Sequence, residues 1–489
     1  MRKPVLLSAA VLALGLAGCA DEPTSTLPLH PGSAQLALAD DAAAGNFLVR
    51  FKGNDIPRGF AEQVVALGGE VIFAHGGAGV AAVAGLRDAA ADQLAGLAGV
   101  AAVDADAVVE LEAPATEAVA ASSEELASPD NPAGALRFPR QWNLQTIRAQ
   151  QAWAAGKLGS PSVKVGILDT GIDYLHPDLV GRVDLGLSRS FLSAAENARV
   201  QTAFPGAHPI ADLNYHGTHV AATVASNAYI YAGVTSKVTL VGLKVCTPGT
   251  AANGFRGSCP TSSTLAAVLY AADQGLDVIN LSLGGSFNRR DASARGGNGP
   301  SFLATINQTF NYANRKGTAI VVSAGNSALD IDHDGNGYKS YCSTAAAICV
   351  SATGPTGQAT LNGPWTEIDA FAPYSNYGRS AINVAAPGGN AVAVTAACSG
   401  FTIVPSILVC RNRFFNSPTS WSAFSIGLAG TSMAAPHVSG LAALIASEGG
   451  RSPAQIQARL QQTAADLGQP GTDPYYGKGR IDVARAVGL

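Results

Sequence analysis

The feature that most constrains the fold of this chain is a regular alternation of apolar segments with Ala-rich segments from residue 163 onward. The apolar segments are nearly continuous runs, as expected for strands that are buried on both faces. The predicted elements are strands at 163–168, 238–245, 278–283 and 319–323, helices near 216–226, 262–274 and 302–315, and a last helix beginning at Ser432. This order predicts an α/β domain with a mostly parallel sheet and helices on both faces. In such a sheet, functional residues gather at the carboxyl ends of the strands.

A smaller unit precedes this domain. Its predicted elements are a strand at 46–52, a helix at 58–67, strands at 70–73 and 79–83, a helix at 86–95 and a strand at 100–109. The order βαββαβ is that of a small ferredoxin-like α+β unit. Residues 113–138 are Ala, Ser, Glu and Pro with little periodicity, so we expect a linker there.

The N-terminus has the pattern of an export signal. Arg2 and Lys3 form a short basic region, and residues 4–17 form an apolar region that is too short to span a membrane comfortably. Leu16-Ala17-Gly18-Cys19 resembles the lipobox of bacterial lipoproteins, in which the cysteine receives lipid; a plain signal peptide with an incidental cysteine is the alternative. We expect a signal peptide at 1–18, a lipidated Cys19 with a flexible tether at 19–44, and no later membrane span.

The composition narrows the partners and the compartment. Charged residues make up 13% of the 489 residues and the formal net charge is −4, so we expect no nucleic-acid partner. The six cysteines other than Cys19 are an even number, which fits an oxidising compartment. Of 15 connectivities, the pairing of sequence neighbours joins Cys246 to Cys259, Cys342 to Cys349 and Cys398 to Cys410. Free thiols or a metal cluster are the alternatives, although the absence of any Cys-x-x-Cys disfavours zinc.

Four polar residues fall at predicted strand ends or helix starts. The first strand runs into Asp169, the strand at 319–323 leads to Asn326, one helix opens with His216, and another opens with Ser432. A serine at a helix N-terminus lies beside unpaired backbone N–H groups that favour negative charge, which suits a nucleophile whose attack creates an oxyanion. Taken singly, each residue has a simpler interpretation: a structural aspartate, a turn asparagine, a capping serine, or a metal pair formed by His216 and His219.

Together these residues have a well-known chemistry. An aspartate orients a histidine, the histidine accepts a proton from a serine, and a neutral amide with a backbone N–H stabilises the oxyanion. The motifs Asp169-Thr-Gly-Ile-Asp, His216-Gly-Thr-His-Val-Ala and Gly430-Thr-Ser-Met-Ala-Ala-Pro-His resemble those of the subtilisin-like serine proteases, the subtilases. The order Asp, His, Ser along the chain is also the subtilisin order.

The resemblance, which covers the chain from about Gln141 to its end, implies a subtilisin-like fold and a serine endopeptidase that needs no cofactor for its chemistry. It implies that Asp169, His216 and Ser432 form the triad and that Asn326 donates to the oxyanion. An extended protein or peptide substrate would pair with two strand edges, which comprise Ser282, Leu283 and Gly284, and Ser323, Ala324 and Gly325.

The resemblance also assigns the remaining segments. The unit at 45–112 looks like the inhibitory propeptide that is common in this family, and 139–489 is the expected peptidase domain. Because Cys19 lies N-terminal to the propeptide, autoprocessing within about 111–140 would separate the catalytic domain from its lipid. We therefore expect an exported monomer that contacts the membrane only through the N-terminal lipid and whose catalytic domain is released to the periplasm or the extracellular space.

Two alternatives and one metal site stay open. The chain could be a catalytically silent binding lipoprotein on the same scaffold, or a metal-dependent hydrolase that uses His216 and His219. Structural Ca²⁺ is a further hypothesis, because Asp330, Asp332 and Asp334 match the first half of a calcium loop. Its twelfth position is Tyr341 instead of Glu, so an Asp/Gly-rich surface turn is the alternative.

Overall fold

The computed structural model describes residues 45–111, 118–121, 128–249, 256–288, 299–333, 337–339, 341–397 and 423–489. The predicted signal peptide, Cys19 and the tether lie outside these residues, as do Asp334, Cys398 and Cys410. Within the described ranges no helix is long and apolar enough to cross a membrane.

The N-terminal unit is a four-stranded antiparallel sheet with two helices on one face. Its elements are β1 (Phe47–Phe51), α1 (Phe60–Ala66), β2 (Glu70–His75), β3 (Val80–Ala84), α2 (Asp88–Ala95) and β4 (Val100–Ala105), with a 3₁₀ turn at Gly76–Ala78. The strand order is β2-β3-β1-β4. Val49 and Val83 on one face pack with Phe60 and Leu94 of the two helices. The element order agrees with the ferredoxin-like prediction.

The predicted strand at 100–109 is in fact two strands. β4 ends at Ala105, and β5 (Val108–Glu110) pairs with another part of the chain. The break occurs because the backbone carbonyl of Ala107 accepts from the amide of Thr261, and Asp106 accepts from the amide of Ser262. The chain therefore leaves the small sheet at this point and docks on the larger domain.

The larger domain contains the remaining elements. They are β6 (Ala118–Ala121), α3 (Trp142–Thr146), α4 (Ala149–Ala154), β7 (Lys164–Asp169), β8 (Arg189–Ser190), α5 (Ala194–Ala203), α6 (His216–Val224), β9 (Thr239–Lys244), β10 (Ser258–Pro260), α7 (Thr261–Asp273), β11 (Val278–Leu281), β12 (Ser286–Asn288), α8 (Pro300–Lys316), β13 (Ala319–Ser323), β14 (Gly337–Lys339), β15 (Ala347–Thr353), β16 (Gly357–Gln358), β17 (Trp365–Thr366), β18 (Val384–Pro387), β19 (Val394–Ala397), β20 (Ala423–Leu428), α9 (Thr431–Ser447), α10 (Pro453–Thr463) and α11 (Val483–Ala486). Two 3₁₀ turns lie at Pro132–Gly134 and Phe138–Arg140.

Seven strands form the central sheet, in the order β18-β15-β13-β11-β7-β9-β8, and all of their pairings are parallel. Alternate residues of β13 divide between two cores: Val321 packs with α9, whereas Ile320 and Val322 pack with α7 and α8. The strand order reverses at β7, since the chain first builds outward to β9 and then returns to β11 on the other side. Ligand sites of open α/β sheets lie at such a reversal, so the carboxyl ends of β7 and β11 are the expected place for a site.

Three strands of this sheet, β8, β15 and β18, are absent from the predicted list, and β8 has only two residues. β15 consists of small and apolar residues after a loop, without a flanking helical pattern, and β18 ends in Pro387. A proline is tolerated there because β18 is the edge strand. In the sequence, a short Pro-containing segment of this kind is hard to distinguish from a loop.

The predicted linker at 113–138 is not a free linker along its whole length. Its last part, 128–138, packs on the larger domain through backbone hydrogen bonds from Ser128 to Asn227 and from Arg137 to Ile230. Asp130 also forms an ion pair with Lys237 at 2.6 Å. These contacts give the polar segment backbone partners that its composition does not reveal.

The structure forms the disulfides Cys246–Cys259 and Cys342–Cys349. These are two of the three nearest-neighbour pairs predicted from the sequence. The partners of the third predicted pair lie outside the described residues.

The second face of the small sheet packs on the larger domain. Leu48, Val80 and Ala82 share a core with Phe302 and Phe310 of α8. The small sheet is therefore covered by its own helices on one side and by α8 on the other.

Candidate active site

The first pair of the site lies at the end of β7 and the start of α6. His216 Nδ1 lies 2.8 Å and 2.9 Å from the two carboxylate oxygens of Asp169. Both side chains are buried, and the amide of Thr170 donates to Asp169 Oδ1 at 2.7 Å. An ionised carboxylate only accepts hydrogen bonds, so the proton of the neutral imidazole is on Nδ1. Nε2 is then the basic nitrogen of the ring.

This close approach of α6 to the end of β7 depends on a glycine. A Cβ placed on Gly217 would lie 2.1 Å from the carbonyl oxygen of Gly171. Any side chain at 217 would therefore push the helix, and His216 with it, away from Asp169. The motif His-Gly thus has a steric reason in addition to its histidine.

A buried polar network supports this pair. The Asp212 carboxylate accepts from the hydroxyls of Thr170 and Thr218 at 3.0 Å and 2.7 Å. Thr170 Oγ1 in turn accepts from the amide of Gly217 at 3.0 Å. Asp212 therefore links the residue after Asp169 to the first turn of α6 and fixes their relative position.

Lys244 lies on the far side of this network, at the end of β9. Its ammonium group donates to the carbonyl of Ala211 at 2.7 Å, and burial lowers its pKa to about 8 although Asp212 opposes the shift. Sequence reasoning missed Asp212, Thr170 and Lys244. The available signal was the alternation Asp212-x-Asn214-x-His216, which places a second carboxylate four residues before the histidine.

Ser432 is the second residue of α9, beside the end of β11. Its hydroxyl donates to the carbonyl of Ser282 at 3.1 Å, and the Ser282 hydroxyl donates to the carbonyl of Ser432 at 2.7 Å. This reciprocal pair ties the N-terminus of α9 to the carboxyl end of the sheet. Ser432 is half-buried, whereas its neighbours Thr431 and Met433 are buried.

Asn326 follows β13 and faces the same helix start. Its side-chain oxygen accepts from the amide and the hydroxyl of Thr431 at 2.8 Å and 2.7 Å. The oxygen is therefore directed at Thr431, which fixes the position of Nδ2. A Cβ on Gly430 would lie 3.3 Å from that Nδ2, so the glycine leaves space on the donor side of the amide. Thr431 is a positioning residue that the sequence motif contains but the prediction did not single out.

The six residues predicted to bind substrate lie at two neighbouring strand ends. Ser282, Leu283 and Gly284 follow β11. Ser323 is the last residue of β13, and Ala324 and Gly325 follow it. Their strands pair in parallel register, so both sets face the same edge of the sheet as Ser432.

The protein's own chain approaches this edge. β5 pairs antiparallel with β10, with Val109 opposite Cys259, and the amide of Leu111 donates to the carbonyl of Gly257 at 2.7 Å. A Cβ on Gly257 would lie 2.9 Å from Leu111 Cδ1 and 3.2 Å from Thr170 Cγ2. The end of β5 is therefore beside the residue that follows Asp169.

His219 is separated from His216 by its environment. Its Nε2 donates to the carbonyl of Val394 at 3.0 Å, and burial lowers its pKa to about 3. The ring is thus neutral and its Nε2 is engaged by the backbone. In the part of the chain that the structure describes, no group of three or more His, Cys, Asp or Glu side chains could bind a metal ion. The two histidines therefore have different surroundings, as a catalytic and a structural imidazole would.

Asp330 and Asp332 lie in an exposed turn after β13. The Asp330 carboxylate accepts from His333 Nδ1 at 2.9 Å and from the amide of Asp332 at 3.0 Å. Asp332 accepts from the amide of Ser380 at 2.9 Å. Asp334 lies outside the described residues, so calcium at this turn stays a hypothesis.

A buried Asp–His pair, a serine at a helix N-terminus and a fixed amide donor, all at one edge of a parallel sheet, are the features of a serine hydrolase. The particular family follows from comparison with known proteins. The subtilase family model (Peptidase_S8) matches residues 160–479, and the chain belongs to this family of serine endopeptidases.

Characterised relatives are similar over the same region. Thermitase from Thermoactinomyces vulgaris is 32% identical over 354 residues, which is 71% of this chain and 96% of the thermitase sequence. Subtilisin Savinase from Lederbergia lenta is 31% identical over 351 residues, 71% of this chain and 98% of its own. Catalysis in this family needs no cofactor.

Two solved structures share the fold over more of the chain. The epidermin leader peptide processing serine protease from Staphylococcus aureus has a TM-score of 0.64 at 21% identity and covers 91% of this chain and 98% of that protein. Fervidolysin from Fervidobacterium pennivorans has a TM-score of 0.61 at 24% identity and covers 93% of this chain and 62% of that protein. The likeness in fold is therefore wider than the 71% that the sequence relatives cover.

Proposed function

We propose that Ser432 is the nucleophile of this endopeptidase, His216 its general base and Asp169 the group that orients the histidine. The observation that carries the proposal is the contact of His216 Nδ1 with both oxygens of the buried Asp169. This contact leaves Nε2 as the basic atom of the ring. It also stabilises the imidazolium that forms when His216 accepts the serine proton.

The reaction is a two-step acyl transfer. Ser432 Oγ attacks the carbonyl carbon of the scissile peptide bond while its proton moves to His216 Nε2. The oxyanion that forms accepts from Asn326 Nδ2 and from the first backbone N–H groups of α9, and His216 then returns the proton to the departing amine. Water hydrolyses the acyl-enzyme by the same steps and regenerates Ser432.

We propose that the unit at 45–112 is an intramolecular inhibitor of this site. Two of its carboxylates contact the N-terminal ends of helices in the peptidase domain: Asp104 accepts from Ser301 at the start of α8, and Asp106 accepts from the amide of Ser262 at 2.9 Å at the start of α7. Backbone N–H groups at a helix start donate to carboxylates, although burial disfavours the charge of both carboxylates and raises their pKa values. These contacts support a specific docking of the unit on α7 and α8.

The path of the chain narrows the processing site. The amide of Leu111 donates a hydrogen bond to the carbonyl of Gly257, close to the Asp169–His216 pair. The next described residues of the chain are those of β6, which begins at Ala118. We propose that Ser432 cleaves its own chain between Leu111 and Ala118. Residues 128–138 are packed on the peptidase domain and would remain with it.

We further propose that this cleavage frees the enzyme from the envelope. The precursor would be exported through the signal peptide at 1–18 and anchored through lipid on Cys19, which lies N-terminal to the cleaved segment. The catalytic domain would then leave as a monomer, while the inhibitory unit stays with the anchor.

A serine-directed fluorophosphonate tests the catalytic proposal directly. We expect it to abolish hydrolysis of casein and to modify Ser432, as read by mass spectrometry of the labelled peptide. A processed and folded sample that binds casein, but neither hydrolyses it nor reacts with the fluorophosphonate, would support the alternative of a catalytically silent binding protein. Inhibition by a chelator together with indifference to the phosphonate would support the metal-dependent alternative.

A further inference from the structure

A small antiparallel sheet precedes the helix that carries Ser432. β19, β20 and β6 form a three-stranded antiparallel sheet with β20 in the centre. β19 pairs with one edge of β20, with Val394 opposite Leu428. The linker strand β6 occupies the other edge, with Ala118 opposite Ile426 and Ala121 opposite Ala423.

This edge is continuous with the active site. β20 ends at Leu428, and α9, which carries Ser432, begins three residues later at Thr431. At the opposite end of the path, β5 lies antiparallel to β10 and Leu111 contacts the region of Thr170. The backbone of the N-terminal region thus pairs with β10 before residues 112–117 and with β20 after them.

From Leu111 to Ala118 there are seven Cα steps, which span at most about 25 Å. The same polypeptide therefore pairs with β10 before this interval and with β20 after it.

We propose that the outer edge of β20 binds the leaving-group side of a protein substrate by antiparallel strand addition. This inference rests on the proposed function, because it takes Ser432 as the nucleophile. β6 is the intramolecular occupant of the edge in the precursor. After processing it belongs to the N-terminal segment of the catalytic chain, and an extended segment of another polypeptide displaces it from the edge. Such pairing uses backbone N–H and C=O groups, so it recognises extended conformation rather than particular side chains. The enzyme then favours long, unfolded polypeptides over short peptides.

A set of internally quenched peptides tests the site with the processed wild-type enzyme. One peptide has the sequence of residues 108–121, and another ends after residue 118, so it keeps every bond of the proposed cleavage segment but lacks the last three residues of β6. We expect kcat/KM of the longer peptide to be at least tenfold higher, mainly through a lower KM. Equal values for the two peptides would overturn the proposal.

Backbone N-methylation supplies the matched control. Successive N–H groups of a strand point to opposite edges, so only one of Val119 and Ala120 directs its N–H at β20. We expect N-methylation at one of these positions to remove the gain and at the other to preserve it. Loss at both positions, or at neither, would contradict strand addition.

Failure of the proposed function and failure of the β20 site give different results in these experiments. If Ser432→Ala cleaves these peptides as fast as wild type, or if neither cleaves any of them, the proposed function is wrong. If wild type cleaves all of them at the same rate, the proposed function stands and the β20 site is wrong. In the full-length precursor, we expect one of Val119→Pro and Ala120→Pro to slow autoprocessing and the other to leave it unchanged.

Discussion

The two sheets of this protein differ in how they are completed. The parallel sheet of the peptidase domain is covered by helices of its own domain on both faces, so Val321 and Ile320 in β13 are buried in different cores. The antiparallel sheet of the N-terminal unit has its own helices only on the face of Val49. Its other face, with Leu48, is buried against α8 of the peptidase domain. The first sheet forms a self-contained domain, and the second is completed by its partner.

Carboxylates of the two regions also differ in where their hydrogen-bond donors lie. Asp169 and Asp212 accept hydrogen bonds from within the peptidase domain. Asp104 and Asp106 of the small unit accept from Ser301 and Ser262 of the other region. The small unit therefore depends on contacts with the peptidase domain, whereas the hydrogen bonds of Asp169 and Asp212 lie within that domain.

The largest expected effect concerns the peptidase domain alone. Ser432→Ala should lower kcat by about 10⁶ because the nucleophile is lost, and the circular dichroism spectrum should be unchanged. Ser447→Ala is the matched control, since this serine is at the other end of the same helix and its hydroxyl donates to the carbonyl of Ala443. Comparable loss in both variants would place the defect in the fold of α9 and not in the chemistry.

The next effect separates binding from transition-state stabilisation. Asn326→Ala should lower kcat by about 10² to 10³ with little change in KM, because an oxyanion donor acts mainly in the transition state. Steady-state kinetics on a peptide substrate measures both constants. A change confined to KM would show that Asn326 binds the ground state instead. Thr431→Val should cause a smaller loss of kcat, since it removes the hydroxyl that fixes the amide.

The third prediction tests the shared core of the two regions. Leu48→Ala should destabilise the association of the processed unit with the enzyme by about 2–3 kcal/mol, because it creates a cavity against α8. The active enzyme should therefore appear sooner after processing, as followed by hydrolysis of a peptide substrate. Val65→Ala in the same unit is the control, since Val65 is 66% exposed. Equal release in the two variants would mean that this face does not contribute to the complex.

The smallest effect is a pH dependence of the same association. Burial raises the pKa of Asp106 from its usual value of 3.8 to about 6 in the complex. The complex therefore binds a proton that the separated unit has already lost, so association is strongest below about pH 4 and weakens as the pH rises to about 6. A shift of two units allows at most about a 100-fold change in affinity.

Size-exclusion chromatography of the processed complex between pH 4 and pH 8 measures this change. Asp106→Asn should flatten most of the dependence, with a remainder from Asp104, whose pKa burial also raises. Asp55→Asn, at an exposed position, should leave it intact. Dissociation that increases toward low pH in all three proteins would contradict the sign.

Local patterns predicted much of this fold. The strand at 319–323 agrees with β13 at both ends, and the helix predicted from Ser432 begins at Thr431. Such segments are long, apolar and flanked by clear starts or ends, so their local preference and their tertiary surroundings agree. The edge strands β18 and β8 were missed because such short segments derive their structure from pairing, and β15 was missed because its small and apolar residues lack a flanking helical pattern.

The candidate site shows the same division. Asp169, His216, Asn326 and Ser432 stand at strand ends and helix starts that the sequence reveals, and a family resemblance adds their roles. Asp212 and Thr431 act through contacts between segments that are far apart in the sequence. A local sequence pattern does not predict such contacts. Asp106 is a further example, because its carboxylate meets a helix 156 residues away. Residues whose role is to position others are visible only when the fold brings them together.

Intact mass and N-terminal sequencing of the protein in the medium and in the membrane fraction test the central claim most directly, with wild type and Ser432→Ala expressed side by side. We expect wild type to yield a catalytic chain that begins within 112–118 together with a separate N-terminal chain, and the Ser432→Ala precursor to remain one chain. Cleavage of the Ser432→Ala precursor at the same bond would contradict the account, because the cut could then not depend on its own serine.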